Sequence, residues 1–351
     1  MVDRVKFSSL REIAALGFDD IIDVRAPAEY AEDHLPDAIS LPVFSDAERA
    51  KVGTIYVQDD PFKARKVGAA LVARNAAKHL EGPLADRSGA WRPLVYCWRG
   101  GQRSGSFASI LAQIGWRVSL IDGGYKAYRR LVVQMLYDQP LPHRLVLIDG
   151  GTGTGKTDLL AVLAEQGAQV LDLEALANHR GSLLGGRDGG QPSQKAFESQ
   201  LAMALAKMDP ARPVLVEAES AKIGRIRIPP SVWQAMLGAD HFRLEVPLAA
   251  RARYLAAAYV DVIGDMEELC ARLSHLAPFH GHEAVARWQM MARNGDHVAL
   301  SSELVEVHYD PSYRRSSRRA SDPLEVLSLT DLAAEDLQVA ADRLLKQLSN
   351  A

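Results

Sequence analysis

The sequence predicts an α/β protein built from two parallel-sheet domains. Short apolar strands alternate with helical segments, a proline-punctuated break interrupts this pattern near residue 140, and the alternation then begins again. A chain of 351 residues is also too long for one ordinary hydrophobic core. We expect a first domain over residues 1–138, a linker over 139–143 and a second domain over 144–351 with a helical C-terminal part.

The first domain opens with a capping box at Ser9 to Glu12, which starts a short helix that Gly17 ends. The apolar and glycine pattern then predicts strands at 21–24, 93–96 and 117–121, and helices at 61–80, 104–114 and 125–137. Strands that alternate with helices favour a parallel sheet.

The second domain repeats this alternation. The sequence predicts strands at 145–148, 169–173, 214–216 and 242–246, and helices at 156–165 and 193–208. From residue 248 onward we expect mostly helix, ending in an amphipathic helix over 331–348.

Composition excludes several classes of protein. The formal net charge of −3 lacks the basic excess that is typical of nucleic-acid-binding domains, so any RNA contact must come from local clusters. Two distant cysteines, Cys97 and Cys270, do not make a disulfide framework or a cysteine zinc site, and we assign no protein metal site. We see no secretory signal and no run near the ~18 apolar residues of a membrane span, so we expect a cytoplasmic protein without a membrane partner.

A cysteine lies in a loop between a predicted strand and a predicted helix. Loop amides and the helix N-terminus would stabilise the Cys97 thiolate, which makes it a candidate nucleophile. Arg99 and Arg103 carry the charge and fork geometry to hold a tetrahedral anion. The rest of this predicted anion loop consists of Gly100, Gly101, Gln102 and Ser104. A buried, small hydrophobic Cys97 is the alternative, and we favour that interpretation for Cys270.

The spacing of the same loop also resembles cysteine-dependent phosphatases. Five residues separate Cys97 from Arg103, which leaves room for a phosphate-sized anion. However, Tyr96 stands where those phosphatases typically have histidine, and no general-acid aspartate is obvious. The phosphatase interpretation is therefore weaker, but it stays open.

A phosphate-binding loop follows the first strand of the second domain and opens a helix, as the G-x4-G-K-[ST] motif requires. Its amides would wrap a diphosphate, while its lysine neutralises charge and its threonine could contact Mg²⁺. The residues concerned are Gly150, Gly151, Gly153, Gly155, Lys156 and Thr157. This predicts a P-loop NTPase-like α/β domain.

Four further polar residues are candidates for a supporting role. Glu217 and Glu219 follow the strand at 214–216, where nucleotide-hydrolysing P-loop proteins usually have aspartate, and could act as a base or near a metal ion. His179 and Arg180 precede a glycine and suit anion contact or acid–base chemistry. A solvated strand end and a surface His-Arg pair are the alternatives.

Motifs across the first domain resemble rhodanese domains, in which the loop cysteine carries sulfur or selenium. The motifs are residues 23–25, 29–30, 34–38 and 120–127. With a P-loop directly after this domain, four more strings make the chain similar to the tRNA 2-selenouridine synthase family up to about residue 315. They are residues 96–104, 177–182, 191–194 and 308–313.

This resemblance implies an activity. Family members replace sulfur by selenium at C2 of 5-substituted 2-thiouridine in the wobble position (U34) of tRNAs for Lys, Glu and Gln. Selenophosphate and geranyl diphosphate are co-substrates, an S-geranyl base is the implied intermediate, and no prosthetic group is expected. Cys97 would carry selenium as S-selanylcysteine. The anticodon stem-loop is the implied RNA partner, and selenophosphate synthetase is a candidate protein partner.

Basic stretches that could contact tRNA occur at 63–66, 125–130, 225–227 and 313–319. We favour the last stretch, with Arg314, Arg315, Arg318 and Arg319, although a solvated charged face explains any of them. Two other functions stay open: a cysteine phosphatase or sulfurtransferase fused to a nucleotide-binding domain, and a non-enzymatic sulfur relay or RNA-binding adaptor.

Overall fold

The computed structural model describes residues 2–182, 184–316 and 322–349, without the side chains of residues 261, 315 and 316. Contacts between residues divide the chain into two units. The first contains Met1–Pro140 and Pro192–Lys207, and the second contains Leu141–Gln191 and Met208–Ala351. The chain first passes between the units inside the stretch that the sequence predicts as a linker.

Residues up to Pro140 form five strands and six helices. The strands are β1 (Asp3–Val5), β2 (Asp20–Asp23), β3 (Ala38–Ser40), β4 (Pro93–Tyr96) and β5 (Ser119–Ile121). The helices are α1 (Leu10–Ala14), α2 (Pro27–Glu32), α3 (Asp46–Gln58), α4 (Pro61–Glu81), α5 (Gln102–Ile114) and α6 (Gly124–Val133), which continues as a π-helical turn over Gln134–Asp138.

Local sequence explains where several of these helices begin and end. The Ser9 hydroxyl accepts a hydrogen bond from the Glu12 amide, which confirms the predicted cap of α1. The Asp60 side chain caps α4 by accepting from the first two free amides, and proline follows it at the first helical position. Gly115, at φ 113°, ends α5 in the left-handed region as the sequence predicts.

The first sheet is parallel throughout and has the order β1-β5-β4-β2-β3. Its central strand β4 is buried at all four positions, and its residues match the apolar run that predicts it. The core on one side contains Ile22, Val95, Phe107 and Leu111. Strands β1 and β3 were not predicted, because three-residue strands carry little apolar pattern of their own.

Residues from 141 onward continue the chain-order numbering. The strands are β6 (Leu145–Asp149), β7 (Gln169–Leu171), β8 (Val214–Glu217), β9 (Lys222–Ile223), β10 (Ile226–Arg227), β11 (Asp240–Glu245) and β12 (Glu325–Ser328). The helices up to residue 258 are α7 (Lys156–Glu165), α8 (Leu173–Leu176), α9 (Gln194–Lys207), α10 (Pro230–Leu237) and α11 (Leu248–Ala258). The remaining helices are α12 (Val260–Ile263), α13 (Met266–Ser274), α14 (Ala277–His280), α15 (His282–Arg293), α16 (His297–Leu304), α17 (Asp310–Ser316) and α18 (Ala334–Ser349), with a π-helical turn at Val305–Tyr309.

The second sheet is also parallel, in the order β12-β11-β6-β8-β7, and β6 is its buried central strand. The helical C-terminal part is confirmed, with one correction: β12 lies in the region that the sequence predicts as mostly helix. Its four residues are a strand because β11 offers them a parallel edge, with Phe242 opposite Glu325. Such a partner cannot be read from a short segment alone.

Helix α9 belongs to the first unit, although the sequence places it within the second domain. Buried polar contacts explain this placement. The Ser199 hydroxyl donates to the Asp33 carboxylate at 2.8 Å, and Tyr125 donates to the same carboxylate at 2.6 Å. The Glu198 carboxylate pairs with Arg129 and accepts from the Tyr137 hydroxyl at 2.5 Å. Only the folded chain brings these partners together.

No helix within the described part of the chain is both long enough and apolar enough to cross a membrane.

Replacing Arg129 with alanine tests the attachment of α9. The change leaves the Glu198 carboxylate, about 2% exposed, without its cation, and breaking a buried pair from one side costs about 3 kcal/mol. We expect the denaturant midpoint of Arg129→Ala to fall accordingly. Its exposed neighbour gives the control, since Arg130→Ala should change the free energy of unfolding by less than about 0.5 kcal/mol. Equal midpoints for the two variants would contradict the attachment.

Candidate functional site

The cysteine loop follows the central strand of the first sheet. Cys97 comes directly after β4, and α5 begins five residues later. The Ser104 hydroxyl, in the first turn of α5, lies 3.1 Å from the Cys97 sulfur. Cys97 is 3% exposed and also packs against the apolar core that includes Val24 and Phe107. The thiol thus has core packing on one side and a hydroxyl donor from the helix N-terminus on the other.

Two glycines let the backbone close around this cysteine. Gly100 has φ +64° and Gly124 has φ +58°, both in the left-handed region. A Cβ atom on Gly124 would lie 2.2 Å from the Cys97 carbonyl oxygen, so no other residue fits there. The amide of Tyr125 donates to that carbonyl at 2.9 Å. The motif at 120–127 is therefore the structural support of the cysteine loop.

One of the two arginines of the loop has a different partner from the anion that the sequence predicts. The Arg103 guanidinium donates to the Glu29 carboxylate at 2.8 Å, so its fork is directed at a protein carboxylate. Burial alone would raise the pKa of Glu29, but the hydrogen bonds and charge of Arg103 hold it below its usual value. Arg99 and Gln102 are exposed on the loop. Of the two arginines that the sequence predicts to bind an anion, Arg99 is exposed to solvent, whereas Arg103 is directed at Glu29.

A buried ionic network lies beneath the loop. The Arg25 guanidinium pairs with the Asp23 carboxylate at 2.7 Å, and both side chains are almost fully buried. Tyr96 donates to Asp23 at 2.8 Å, and the Arg25 guanidinium stacks 3.9 Å from the ring centre of Tyr125. The first rhodanese-like motif thereby fixes the strand that ends at the cysteine. Tyr96, which precedes the cysteine, therefore has a structural role, because its hydroxyl donates to the buried Asp23 carboxylate.

The phosphate loop follows the central strand of the second sheet. Gly153 and Gly155 have φ +81° and +75°, and Gly155 is the N-cap of α7. The Lys156 ammonium lies over the loop, 2.9 Å from the Gly150 carbonyl oxygen. A cavity of about 950 Å³ contains this loop, which is large enough for a substantial ligand. Its lining includes Gly150, Gly153, Gly155, Lys156 and Thr157.

Residues from the C-terminal helices hold the phosphate loop in place. Arg251 donates to the Thr152 carbonyl oxygen at 2.7 Å and pairs with Asp310 at 2.6 Å. A Cβ on Gly151 would lie 2.8 Å from the Arg251 guanidinium, so a larger residue there would displace this side chain from the loop. The Tyr313 hydroxyl accepts from the Gly150 amide at 3.1 Å and donates to Asp149.

Of the two predicted carboxylates, Glu217 is buried and Glu219 lines the cavity. Glu217 is fully buried and accepts from the Leu173 amide at 3.1 Å. Burial and the nearby Asp172 raise the pKa of Glu217 well above its ordinary value. Glu219 lines the cavity together with Glu174, which sequence reasoning missed. The Glu174 carboxyl lies 3.5 Å from the Thr157 hydroxyl.

The neighbouring residues His179 and Arg180 have different surroundings in the structure. Arg180 lines the cavity and stacks on Tyr259, with its guanidinium 4.8 Å from the ring centre. The His179 ring accepts from the Gly181 amide at 3.2 Å and is not among the described residues that line this cavity. Burial, helped by the charge of Arg187, lowers the pKa of His179. His179 therefore shapes the 179–181 turn, while Arg180 faces the ligand space.

The residues that sequence reasoning missed fall into two groups. Asp310 and Tyr313 belong to the string at 308–313, which gave Asp310 no role, and the sequence placed Tyr313 in the stretch predicted to contact tRNA and not at the phosphate loop. Glu174 and Arg251 belong to no motif, so only the fold brings them to the loop. Arg314 is exposed, whereas the Arg315 side chain, Arg318 and Arg319 lie outside the described residues.

The pH dependence of stability tests the carboxyl pair. Burial, with a smaller effect of Glu219, raises the pKa of Glu174 to about 8. Because this lies above the ordinary 4.5, folding favours the protonated form, and the associated stability is complete below pH 4.5 and lost as the pH rises through about 8. Glu174→Gln keeps the neutral shape at every pH. Between pH 6 and pH 9 we expect the wild type to lose about 2 kcal/mol relative to this variant in denaturant titrations.

The control for this experiment is Glu165→Gln, which changes an exposed carboxylate on α7. It should keep the wild-type dependence on pH. Parallel stability curves for the wild type and Glu174→Gln would show that Glu174 ionises as freely in the folded protein as in the unfolded chain.

Comparisons with known proteins agree with both halves of this description. A family model for the rhodanese-like domain matches residues 8–131, and the model for the tRNA 2-selenouridine synthase AAA domain matches residues 143–283. These matches confirm the predicted fold class, a rhodanese-like domain followed by a P-loop-type α/β domain.

Three curated relatives carry the name tRNA 2-selenouridine synthase. The relative from Shewanella denitrificans is 35% identical, and the match covers 86% of this chain and 80% of the relative. That from Nitrosomonas europaea is 38% identical over 68% of this chain and 63% of the relative. The relative from Shewanella sediminis is 37% identical over 88% and 90% of the two chains. On these matches and the two loops described above, the chain belongs to the tRNA 2-selenouridine synthase family.

Proposed function

We propose that this enzyme replaces sulfur by selenium at C2 of a 5-substituted 2-thiouridine in the wobble position of tRNA. Selenophosphate supplies the selenium, and geranyl diphosphate first alkylates the sulfur. The observation that carries the proposal is the presence of two loops in one chain, each between a central parallel strand and a helix. One begins with a cysteine that a hydroxyl from the helix N-terminus contacts, and the other is a phosphate loop inside a cavity of about 950 Å³.

The phosphate loop suits the first half of this reaction. The thiocarbonyl sulfur attacks C1 of geranyl diphosphate, so that a C–S bond forms, the C–O bond breaks and diphosphate leaves with the electron pair. Negative charge develops on the leaving oxygen, and preorganised amides with an ammonium group stabilise such charge. Gly153, Gly155 and Lys156 line the cavity, which supports this use of the loop.

S-alkylation makes the second half feasible. A thiocarbonyl sulfur is a poor leaving group, whereas an S-geranyl group departs from C2 as a thiol. In the overall exchange, selenium replaces sulfur on the base, water takes the phosphoryl group of selenophosphate, and geranyl thiol and phosphate are released. We assign selenium capture to Cys97 as S-selanylcysteine, with Ser104 on the sulfur and Arg99 as the exposed cation of the loop. Selenium leaves selenophosphate at the selenide level, so it attacks a mixed disulfide between Cys97 and a small thiol: the S–Se bond forms, the S–S bond breaks and the small thiol leaves as a thiolate. Two small thiols then reduce the S–Se bond, form a disulfide and return selenide for attack on C2.

The remaining parts of the proposal follow the family resemblance. The substrates are the tRNAs for Lys, Glu and Gln, bound through the anticodon stem-loop, and selenophosphate synthetase is a proposed partner. The exposed Arg314 supports an RNA contact near the C-terminal end of α17. The Thr157 hydroxyl lines the cavity, and an oxygen donor of this kind suits Mg²⁺ beside a diphosphate.

Replacing Cys97 with serine tests the covalent step. We expect tRNA from cells that carry only Cys97→Ser to lose 2-selenouridine and to keep 2-thiouridine or its S-geranyl form, because serine cannot hold selenium. Nucleoside analysis by mass spectrometry measures this at equal protein levels. Cys270→Ser, in α13, is the matched control and should keep selenation. Full selenation by Cys97→Ser would refute the covalent role.

Replacing Lys156 with alanine tests the phosphate loop. Loss of one charged group that stabilises the leaving diphosphate should lower geranyl transfer to thiolated tRNA about 100-fold. Transfer of labelled geranyl from geranyl diphosphate to tRNA is the measurement. Lys346→Ala, on an exposed position of α18, should transfer at the wild-type rate. An unchanged rate for Lys156→Ala would exclude the proposed use of this loop.

A further inference from the structure

A second, smaller cavity adjoins the phosphate-loop cavity within the same unit. The two cavities share four lining residues, which are Thr152, Leu255, Tyr259 and Tyr309. Thr152 belongs to the phosphate loop itself, so a ligand whose diphosphate lies on that loop has the smaller cavity beside it.

The walls of the smaller cavity are mostly aliphatic, with His297 and Ser301 as polar members. They include Leu184, Val262, Ile263, Leu269, Leu300 and Leu304. Most of these residues belong to the hydrophobic core formed by the helices after α11, so the cavity is a hollow in that core. Protein interiors are packed to the density of organic crystals, and a hollow leaves its walls without contacts. An apolar ligand group would restore those contacts.

The size of the hollow limits what it can hold. Its volume is about 50 Å³, and a water-sized group needs roughly 10–15 Å³ on this measure, so about four methyl-sized groups fit. That is close to one branched, five-carbon isoprenoid end. The purine of a nucleotide has more than twice as many non-hydrogen atoms as this space can hold. Leu255 and Tyr259, which line both cavities, would contact the middle of the chain.

We propose that this hollow binds the end of the hydrocarbon chain of an isoprenoid diphosphate whose diphosphate lies on the phosphate loop, and that its depth selects the chain length. The inference rests on the proposed function, because it assumes that a diphosphate ester is the ligand of the loop. It adds where the hydrocarbon chain of that ester lies and which residues limit its length.

Helix α16 supplies the residues that control the depth. Leu300, Ser301 and Leu304 all line the hollow, with Leu300 and Leu304 one helical turn apart. Ser301→Leu adds a branched side chain where the isoprenoid end would lie. Leu304→Ala removes part of the wall and deepens the hollow. Ser302→Leu makes the same chemical change at a neighbouring position outside the described lining.

Calorimetric binding to the full-length protein tests the proposal, with inorganic diphosphate, geranyl diphosphate and farnesyl diphosphate as probes. The wild type should bind geranyl diphosphate at least tenfold more tightly than inorganic diphosphate. Ser301→Leu should lose that difference while its affinity for inorganic diphosphate stays unchanged, which also shows that the fold is intact. Ser302→Leu should behave as the wild type.

Leu304→Ala provides an independent outcome if Ser301→Leu fails to fold. In this variant the ratio of the affinity for geranyl diphosphate to the affinity for farnesyl diphosphate should be about tenfold lower than in the wild type. If both variants bind the three probes as the wild type does, the hollow does not hold the chain and the inference is wrong.

Wild-type geranyl transfer to thiolated tRNA separates this failure from that of the proposed function. If the wild type transfers geranyl to tRNA but the two variants bind the probes as the wild type does, only the inference about the hollow is wrong. If the variants alter geranyl diphosphate binding as expected but the wild type transfers no geranyl to tRNA, the proposed function is wrong.

Discussion

The structure depends on one backbone constraint that occurs twice. In each sheet the chain leaves the carboxyl end of the central parallel strand, β4 or β6, and turns at once into a helix, α5 or α7. Such turns direct amides and a helix N-terminus toward one point, which favours negative charge there. They require glycines with positive φ, which are Gly100 in the first turn and Gly153 and Gly155 in the second, and the fit is tight: a Cβ on Gly100 would lie 2.8 Å from the Ile121 carbonyl oxygen. Both reactive groups of the proposed mechanism occupy positions that this turn creates.

The phosphate loop is additionally held by residues far along the chain. Arg251 pairs with Asp310 and donates a hydrogen bond to the Thr152 carbonyl oxygen. The Tyr313 hydroxyl accepts a hydrogen bond from the Gly150 amide. Arg251 is 8% exposed, so loss of Asp310 would leave a nearly buried cation without its partner. The C-terminal helices therefore do more than complete a core: they fix the shape of the phosphate loop and also line the hollow next to it.

The electrostatics of the cavity depend on how the chain turns after β8. Glu217 ends the strand and stays in the interior, where it holds the start of α8. The Glu219 amide then bonds back to the Glu217 carbonyl oxygen at 2.9 Å, a tight turn that brings Glu219 to the cavity beside Glu174. Two carboxyl groups near Lys156 oppose its charge, so protonation of Glu174 at neutral pH leaves more net positive charge for a diphosphate.

The sequence by itself determined the two-part α/β organisation, the central strands and the positions of Cys97 and the phosphate loop. Each of these depends on residues adjacent in the chain: an apolar run, a glycine cluster and a following helix. The tertiary structure decided the rest. Arg103 binds Glu29, and α9 packs in the first unit. Strand β12 joins the second sheet, and Glu174 and Arg251 reach the phosphate loop. These outcomes depend on partners distant in sequence, and local pattern contains no information about which partner the folded chain will supply.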